Sequence, residues 1–377
     1  MGAGVPTSVL LVSGSLNKGG AERFTSTLLQ HFDRSRIRPA LCLMRDDIGY
    51  PLPADVALYH LDYRQRWQAL RTIARLRRLI DELKPDVMLS NLLNTNLVSG
   101  MALRRAEHRP VWIARVAADP VQADGWLRSF FVRRTYPRAD HLVVNSRGLV
   151  DGMVRRYPFT AGRLDVLANP TDFETIDRRA SEPPAHVKPP GVKLVIAVGR
   201  LSPQKRHDLM IDAFRQVSER HPAILWICGE GPGWAAIRKR IDRLALADSV
   251  RLLGFCSNPF ALLRQADLFV MSSDFEGLPN ALIEAQGLGL PAVATRCDYG
   301  PDEIVDDGRT GLLTPVGDAA ALAEAMSRLL ADTGLRRRMA AAARELARER
   351  FAAAPLTRAW EALLLRRARP AEGEAGA

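Results

Sequence analysis

The 377-residue chain predicts an α/β fold of two Rossmann-like, doubly wound parallel-sheet domains facing a cleft. Three observations carry the prediction. Apolar runs alternate with amphipathic stretches over residues 8–170, as repeated βα units require. A proline-rich stretch at 172–191, with Pro183-Pro184 and Pro189-Pro190, breaks the alternation, and a second βα series opens at Lys193. The length accommodates two domains, each with its own core.

In the first series, residues 8–14 read as a strand because Val9-Leu10-Leu11-Val12 is uninterruptedly apolar. A Gly-rich loop and a helix over about 21–32 follow, then strands at 40–44, 86–90, 111–115, 141–145 and 165–168. In the second series strands are expected at 193–199, 223–228, 250–253, 268–272, 291–295 and 311–314. From Asp318 the chain is Ala- and Arg-rich with helical periodicity to about residue 367. These readings divide the chain into a first domain (1–171), a linker (172–191), a second domain (192–355), a C-terminal helix over 356–370 that packs back on the first domain, and a disordered tail (371–377).

Four clusters fall at predicted strand carboxyl ends, the edge where open α/β sheets bind ligands. Leu16-Asn17-Lys18-Gly19-Gly20-Ala21-Glu22-Arg23 opens the first helix, and its glycines let backbone approach a diphosphate or sugar at a helix N-terminus. It lacks both GxGxxG and the Walker A pattern, which disfavours nicotinamide and ATP. Gly199-Arg200-Leu201-Ser202-Pro203-Gln204-Lys205-Arg206 offers a planar guanidinium and a mobile ammonium to phosphate oxygens. Gly229-Glu230-Gly231-Pro232-Gly233 permits close approach to a ligand, or is a plain turn. The fourth cluster follows Leu268-Phe269-Val270-Met271 and contains Glu276 and Glu284, eight residues apart, around the turn Gly277-Leu278-Pro279-Asn280. Spacing alone fits a ligand-binding pair and equally an exposed acid with a carboxylate at a helix N-terminus.

The ordered set Gly-Gly-Ala-Glu-Arg (19–23), Gly-Arg-Leu-Ser-Pro-Gln-Lys (199–205), Gly-Glu-Gly-Pro (229–232), Glu-Gly-Leu-Pro-Asn-Ala-Leu-Ile-Glu-Ala (276–285) and Gly-Pro-Asp-Glu-Ile (300–304) resembles retaining glycosyltransferase family 4, of GT-B fold. Within it the chain is most similar to the bacterial branch that builds lipopolysaccharide cores and polyprenyl-diphosphate-linked glycans. The resemblance implies that Arg200 and Lys205 bind the donor diphosphate and stabilise it as it leaves. It implies that Glu276 touches the donor sugar, that the backbone of Gly277, Leu278, Pro279 and Asn280 meets sugar hydroxyls and phosphate, and that Glu284 accepts the ribose hydroxyls. It implies too that Gly229 and Glu230 line the donor site and that Gly19 and Gly20 close over the diphosphate. It further implies a UDP-sugar donor, a lipid-linked glycan, lipopolysaccharide-core or exopolysaccharide acceptor, and neither metal nor other cofactor; no Asp-x-Asp occurs. Residues 113–119 depart from the family's pattern, leaving Arg115 and Asp119 as acceptor-side candidates.

Net charge is +11, and residues 1–170 hold 25 Lys and Arg against 15 Asp and Glu, whereas 171–377 hold 28 against 27. The first half is therefore suited to an anionic partner. Arg71, Arg75 and Arg78 interleave with Leu70, Ile73 and Leu76, and Trp126, Phe130 and Phe131 mix with further arginines, so either segment suits an anionic membrane surface or a solvated helix face. No apolar run approaches the roughly 20 residues that span a bilayer, and the first residues lack a secretory n-region. Cys42, Cys228, Cys256 and Cys297 form no CxxC pair, so reduced thiols and no zinc site are expected. A cytoplasmic enzyme, peripheral on the inner face of the cytoplasmic membrane, is the resulting expectation. A sugar-nucleotide epimerase of the same architecture is the alternative, and a nucleic-acid-binding protein a weaker one, since no recognised motif accompanies the charge.

Overall fold

A parallel strand covered on both faces has to be apolar throughout, and β1 (Thr7–Ser13) meets that demand with Val9 to Val12 all buried. The computed structural model describes residues 5–17, 19–63, 65–117 and 126–368. They divide into two compact units, Met1–Pro170 with Ala353–Ala377, and Thr171–Ala352.

In the first unit β1 leads through α1 (Gly20–His31) to β2 (Ile37–Leu43) and β3 (Ala57–His60). Helix α2 (Ala69–Leu83) then carries the chain back to β4 (Val87–Asn91), followed by α3 (Leu93–Leu103), β5 (Val111–Val116), α4 (Trp126–Thr135), β6 (His141–Val144), α5 (Gly148–Arg156) and β7 (Leu164–Val166). The seven-stranded sheet runs β3-β2-β1-β4-β5-β6-β7, all parallel. Its order reverses between β1 and β4, which puts the carboxyl ends of those strands at the switch point. Strand β3 has no counterpart in the sequence reading: it is four residues long and half-exposed at the sheet edge, so it presents no apolar run.

The C-terminal helix, Ala353–Arg367, belongs to this unit. Trp360, Leu363 and Leu364 join the core formed by Val9, Phe24 and Leu28. The rings of Phe24 and Trp360 meet edge-on at 5.0 Å, Trp360 donates its indole N–H to the Ala168 carbonyl (3.3 Å), and Glu361 accepts the Asp33 N–H (2.7 Å).

The second unit begins with α6 (Phe173–Ala180) and continues β8 (Lys193–Val198), α7 (His207–Ser218), β9 (Ala223–Cys228), α8 (Trp234–Arg243), β10 (Val250–Gly254), α9 (Pro259–Leu263), β11 (Leu268–Met271) and α10 (Asn280–Gly287). Then come β12 (Ala292–Thr295), α11 (Pro301–Ile304), β13 (Gly311–Thr314), α12 (Ala319–Ala331) and α13 (Thr333–Phe351). Its parallel sheet is ordered β10-β9-β8-β11-β12-β13, so β8 and β11 flank the switch point.

Helix α6 corrects the expectation of a linker over 172–191. Asp172 caps it by accepting the Thr175 N–H (2.9 Å), and Phe173, Ile176 and Ala180 form its buried stripe. Phe173 packs so closely on Gly287 that a Cβ there would lie 2.0 Å from its ring, and Arg348 pairs with Asp177 at 2.7 Å. Only the stretch after Ala180, with its proline pairs, lacks helix or strand. The tail expected at 371–377 lies outside the described residues. No helix among the described residues is long and apolar enough to cross a membrane.

Trp360→Ala is expected to lower the stability of the first unit by about 3–5 kcal/mol, since it removes a fully buried indole. Urea unfolding monitored by circular dichroism reads this directly, and a loss under about 1 kcal/mol would mean that the helix contributes little to that core.

Candidate active site

The site in the second unit is built by two loops that leave adjacent strands, β8 and β11. After β8, residues Pro203–Lys205 make a single 3-10 turn and Arg206 takes a left-handed conformation (φ +45°), which costs energy for a residue with a Cβ. The surroundings impose that conformation. The Ser272 hydroxyl lies 2.8 Å from the carbonyls of both Lys205 and Arg206, and the Arg206 guanidinium meets Asp208 (3.1 Å) and Asp274 (3.0 Å). Gln204 donates to the Phe275 carbonyl (2.7 Å), and the Asp274 N–H donates to the Gln204 carbonyl (2.9 Å).

This stitching holds Lys205 Nζ 2.5 Å from Glu276 Oε1, and the Ser273 hydroxyl donates to the same oxygen at 2.6 Å. Glu276 is only 6% exposed, so its carboxylate is satisfied by protein partners. Arg200, on the same loop, is exposed and has no ion pair among the described residues. The loop's other two cations, Lys205 and Arg206, are matched by carboxylates, so its unmatched positive charge is at Arg200. Ser272, Ser273, Gln204 and Asp274 were absent from the sequence-based candidates. Their place directly after the apolar run of β11, or beside Lys205, was the available signal.

Beneath this pair lie two titratable groups with strongly shifted behaviour. Burial, reinforced by the Lys205 charge, pulls the His207 imidazole down to about 4 against the opposing pull of Asp208, and its Nδ1 has no hydrogen-bond partner. Burial, with the Glu276 charge adding to it, pushes the Cys297 thiol up to about 12. Both are therefore neutral at pH 7.

The glycines after β9 pack on the backbone of the β8 loop. A Cβ on Gly229 would lie 1.8 Å from the Gly199 carbonyl oxygen, and one on Gly231 would lie 2.4 Å from that of Leu201. The Leu201 N–H donates to the Glu230 carbonyl, and the Gly233 N–H to the Leu201 carbonyl, both at 2.9 Å. What Gly229 and Gly231 approach closely is the backbone of the β8 loop. Glu230 itself is exposed. On the other side Gly277, Leu278 and Pro279 form a buried turn before Asn280, the first residue of α10. Gly300 (φ +93°) packs against that turn with room for no side chain, since a Cβ would lie 2.3 Å from the Gly277 carbonyl oxygen. Glu284, on the second turn of α10, is 3% exposed.

In the first unit, Gly19 precedes α1 without a side-chain cap and Gly20 is its first residue. The Glu22 carboxylate folds back over Gly19, where its oxygen would lie 2.1 Å from an added Cβ. Burial raises the Glu22 pKa, opposed by its own backbone N–H and by Arg45. Arg115 is placed otherwise than expected for an acceptor contact. It is 0% exposed, donating to Asn91 Oδ1 (2.6 Å) and to Asn169 Oδ1, with its guanidinium 3.8 Å from the centroid of the Phe24 ring. Burial pulls it down to about 9, and an acceptor has no access to it. Asp119 lies outside the described residues.

The segments expected to meet a membrane are also in this unit. Arg71 and Arg78 are exposed, but Arg75 is matched by Asp62 at 2.5 Å, which removes it from a free basic face. Trp126 is 82% exposed and Phe130 44%; Phe131 is half-buried, stacked edge-on against Phe130 at 5.6 Å. Trp67, in the 3-10 turn just before α2, and Leu70, in the first turn of α2, are also largely exposed. Among the described residues no cluster of three or more His, Cys, Asp or Glu could hold a metal ion.

Comparison with known proteins bears on both units. The family described as Glycosyl transferases group 1 matches residues 178–346, and Glycosyltransferase Family 4 matches residues 18–175. The chain is 28% identical over 336 residues to the N-acetylgalactosamine-N,N'-diacetylbacillosaminyl-diphospho-undecaprenol 4-alpha-N-acetylgalactosaminyltransferase of Campylobacter jejuni, covering 86% of this chain and 90% of that protein. It is 27% identical over 358 residues to the lipopolysaccharide core biosynthesis glycosyltransferase LpsD of Rhizobium meliloti, covering 91% and 94%. Among solved structures it resembles Anabaena HepE in complex with UDP and glucose, with a TM-score of 0.80 at 20% identity over 95% of this chain and 99% of that one.

His207 makes stability depend on pH. Its folded pKa lies below the value of 6.5, so the unfolded chain binds more protons between pH 6.5 and about 4. The stability present above pH 6.5 is lost as pH falls through that window, by roughly 3 kcal/mol at the lower end. His207→Leu is expected to flatten this part of the urea-midpoint profile, and parallel profiles for variant and wild type would refute the assignment.

Proposed function

The chain belongs to the family 4 glycosyltransferases of GT-B fold, and we propose that it transfers a sugar, with retention at the anomeric carbon and without a metal ion, from a UDP-sugar to a lipid-linked or polysaccharide acceptor. One observation carries the reading: the Lys205 ammonium fixed 2.5 Å from the buried Glu276, five residues after the exposed, unmatched Arg200. In support of the donor, HepE binds UDP and glucose. In support of the acceptor class, the Campylobacter jejuni relative acts on a diphospho-undecaprenol glycan and LpsD acts in lipopolysaccharide core biosynthesis.

In the proposed reaction the bond between the anomeric carbon and the diphosphate oxygen breaks, and a bond to the acceptor hydroxyl oxygen forms on the same face. The hydroxyl proton passes to the departing diphosphate. Arg200 supplies a planar pair of donors and Lys205 a point charge for the negative charge that develops there. These two cations take the part that a divalent ion plays in metal-dependent transfer. Glu276 sets the position of Lys205 and accepts from the donor sugar. Glu284 accepts the ribose hydroxyls. The exposed Trp126, Phe130, Trp67 and Leu70, with Arg71 and Arg78, hold the first unit against the anionic inner face of the cytoplasmic membrane.

Lys205→Ala is expected to lower kcat with a UDP-sugar roughly a hundred- to a thousandfold, while Glu284→Ala raises KM for the donor more than it lowers kcat. Thermal melts should show both variants folded; full activity in both would remove the site. Purified protein should sediment with anionic vesicles at low salt and lose most of that binding in Trp126→Ser/Phe130→Ser, and equal sedimentation of the two would exclude these aromatics as the anchor.

A further inference from the structure

Part of the first half's surplus of basic residues is gathered at one place. Helix α3 ends at Leu103, with Arg104 next; Arg109 lies two residues before β5; and the 3-10 turn Tyr136–Arg138 stands just before β6. Because β5 and β6 are parallel neighbours, these points share the amino-terminal edge of the first sheet. A cavity of about 220 Å³ opens among them. Gly100, Leu103 and Trp112 form its apolar lining, and Arg104, Arg109 and Arg138 its charged lining.

We propose that this cavity binds a phosphate-bearing ligand, whose phosphate oxygens the three guanidinium groups hold while the adjoining part of the ligand rests on Leu103 and Trp112. The charge balance carries the inference. Elsewhere in this unit arginines find carboxylates: Arg34 meets Asp55 and Arg75 meets Asp62, each at 2.5 Å. None of Arg104, Arg109 and Arg138 has an ion pair among the described residues, and no carboxylate lines the cavity. The acids nearby are engaged with backbone: Asp140 accepts the Trp112 N–H (2.8 Å), and Asp81 accepts those of Glu107 (2.7 Å) and His108 (3.0 Å). Three like charges around one cavity repel each other, and a multiply charged anion placed among them relieves that repulsion. Interaction with the carbonyl end of α3 would account for Arg104 alone. Arg138 donates to the Arg134 carbonyl through one nitrogen, which leaves other donors of its planar fork for phosphate oxygens.

The wall behind the arginines is fixed. Trp112 is buried, and its indole N–H donates to Ser90 Oγ at 2.9 Å. Gly100 lets that ring close on α3, since a Cβ there would lie 2.7 Å from Trp112 Cη2 and 2.2 Å from the Thr135 methyl carbon. Arg163 donates to the carbonyls of Pro137 (3.3 Å) and Ala139 (2.7 Å) and so holds the turn that carries Arg138. A ligand therefore meets a preformed floor, and only the arginine side chains have to order around it. The cavity shares no residue with the site on the β8 and β11 loops, so the inference does not depend on the donor assignment. The same phosphate chemistry is offered by a phospholipid headgroup and by a soluble phosphate ester. Arg134, which Arg138 contacts, lies over the exposed Phe130 ring at 4.6 Å, so the cavity is continuous with the aromatic face of α4.

Calorimetry on the full-length protein in saturating UDP, with inorganic pyrophosphate as titrant, reads this site while the donor site is occupied. Arg104→Gln/Arg138→Gln is expected to weaken pyrophosphate binding at least roughly tenfold and to move Tm by no more than about 2 °C. In the wild type, pyrophosphate should protect Arg104, Arg109 and Arg138 from phenylglyoxal, read by mass spectrometry of a digest. Arg243 in α8 and Arg358 in the C-terminal helix, both exposed, should stay reactive. Unchanged affinity in the double variant, or equal reactivity of the three arginines with and without pyrophosphate, would overturn the proposal, and the protection assay decides it even where the variant unfolds. If UDP does not bind, the donor assignment falls while the protection pattern still decides this site. Sedimentation with vesicles containing phosphatidic acid separates the two sources: with protection in place, a loss in the double variant supports a lipid headgroup in the site, and equal sedimentation supports a soluble phosphate ester there.

Discussion

Two neighbouring strands at the switch point of the second sheet, β8 and β11, end in polar loops, and the pairing of those loops with each other organises the site. A buried carboxylate such as Glu276 is tolerated only with a full set of partners. It receives Lys205 and Ser273, and each of these is positioned by the same loop-to-loop contacts, through Ser272, Gln204 and Asp274. The left-handed Arg206 belongs to that arrangement: it turns the chain from the Lys205 loop into α7 while its guanidinium bridges Asp208 and Asp274.

The neighbouring glycine loops extend the same logic outward. Backbone packs on backbone where Gly229 and Gly231 cross Gly199 and Leu201, and again where Gly300 crosses Gly277. A glycine motif at a strand end reads naturally as room for a ligand. At Gly229 and Gly231 a side chain would run into the β8 loop, so these two glycines let the β9 loop pack on it.

The first unit handles a charge in the opposite way. Arg115 is a fully buried cation held by two asparagine carbonyls and the Phe24 ring rather than by a carboxylate. Burial of a guanidinium costs several kcal/mol unless such partners are supplied, and Phe24 is also the residue against which Trp360 packs. The C-terminal helix, the first helix and the end of β5 are thereby parts of one core.

The alternation of apolar runs, the two βα series, and most strands were legible from the chain alone, because strands buried on both faces must be continuously apolar. The short edge strand β3 and helix α6 were not: the first buries too little to leave a pattern, and the second finds partners for its apolar stripe in α9 and α10. The placement of the candidate residues was likewise readable: Arg200, Lys205 and Glu276 follow apolar strands in loops, and Glu284 lies on the helix α10 that comes next. Which glutamate meets which cation, which arginine stays unmatched, and which one is sealed in a core depend on residues distant in sequence. Those pairings are set by desolvation and contact in the folded chain, so only the tertiary structure could decide them.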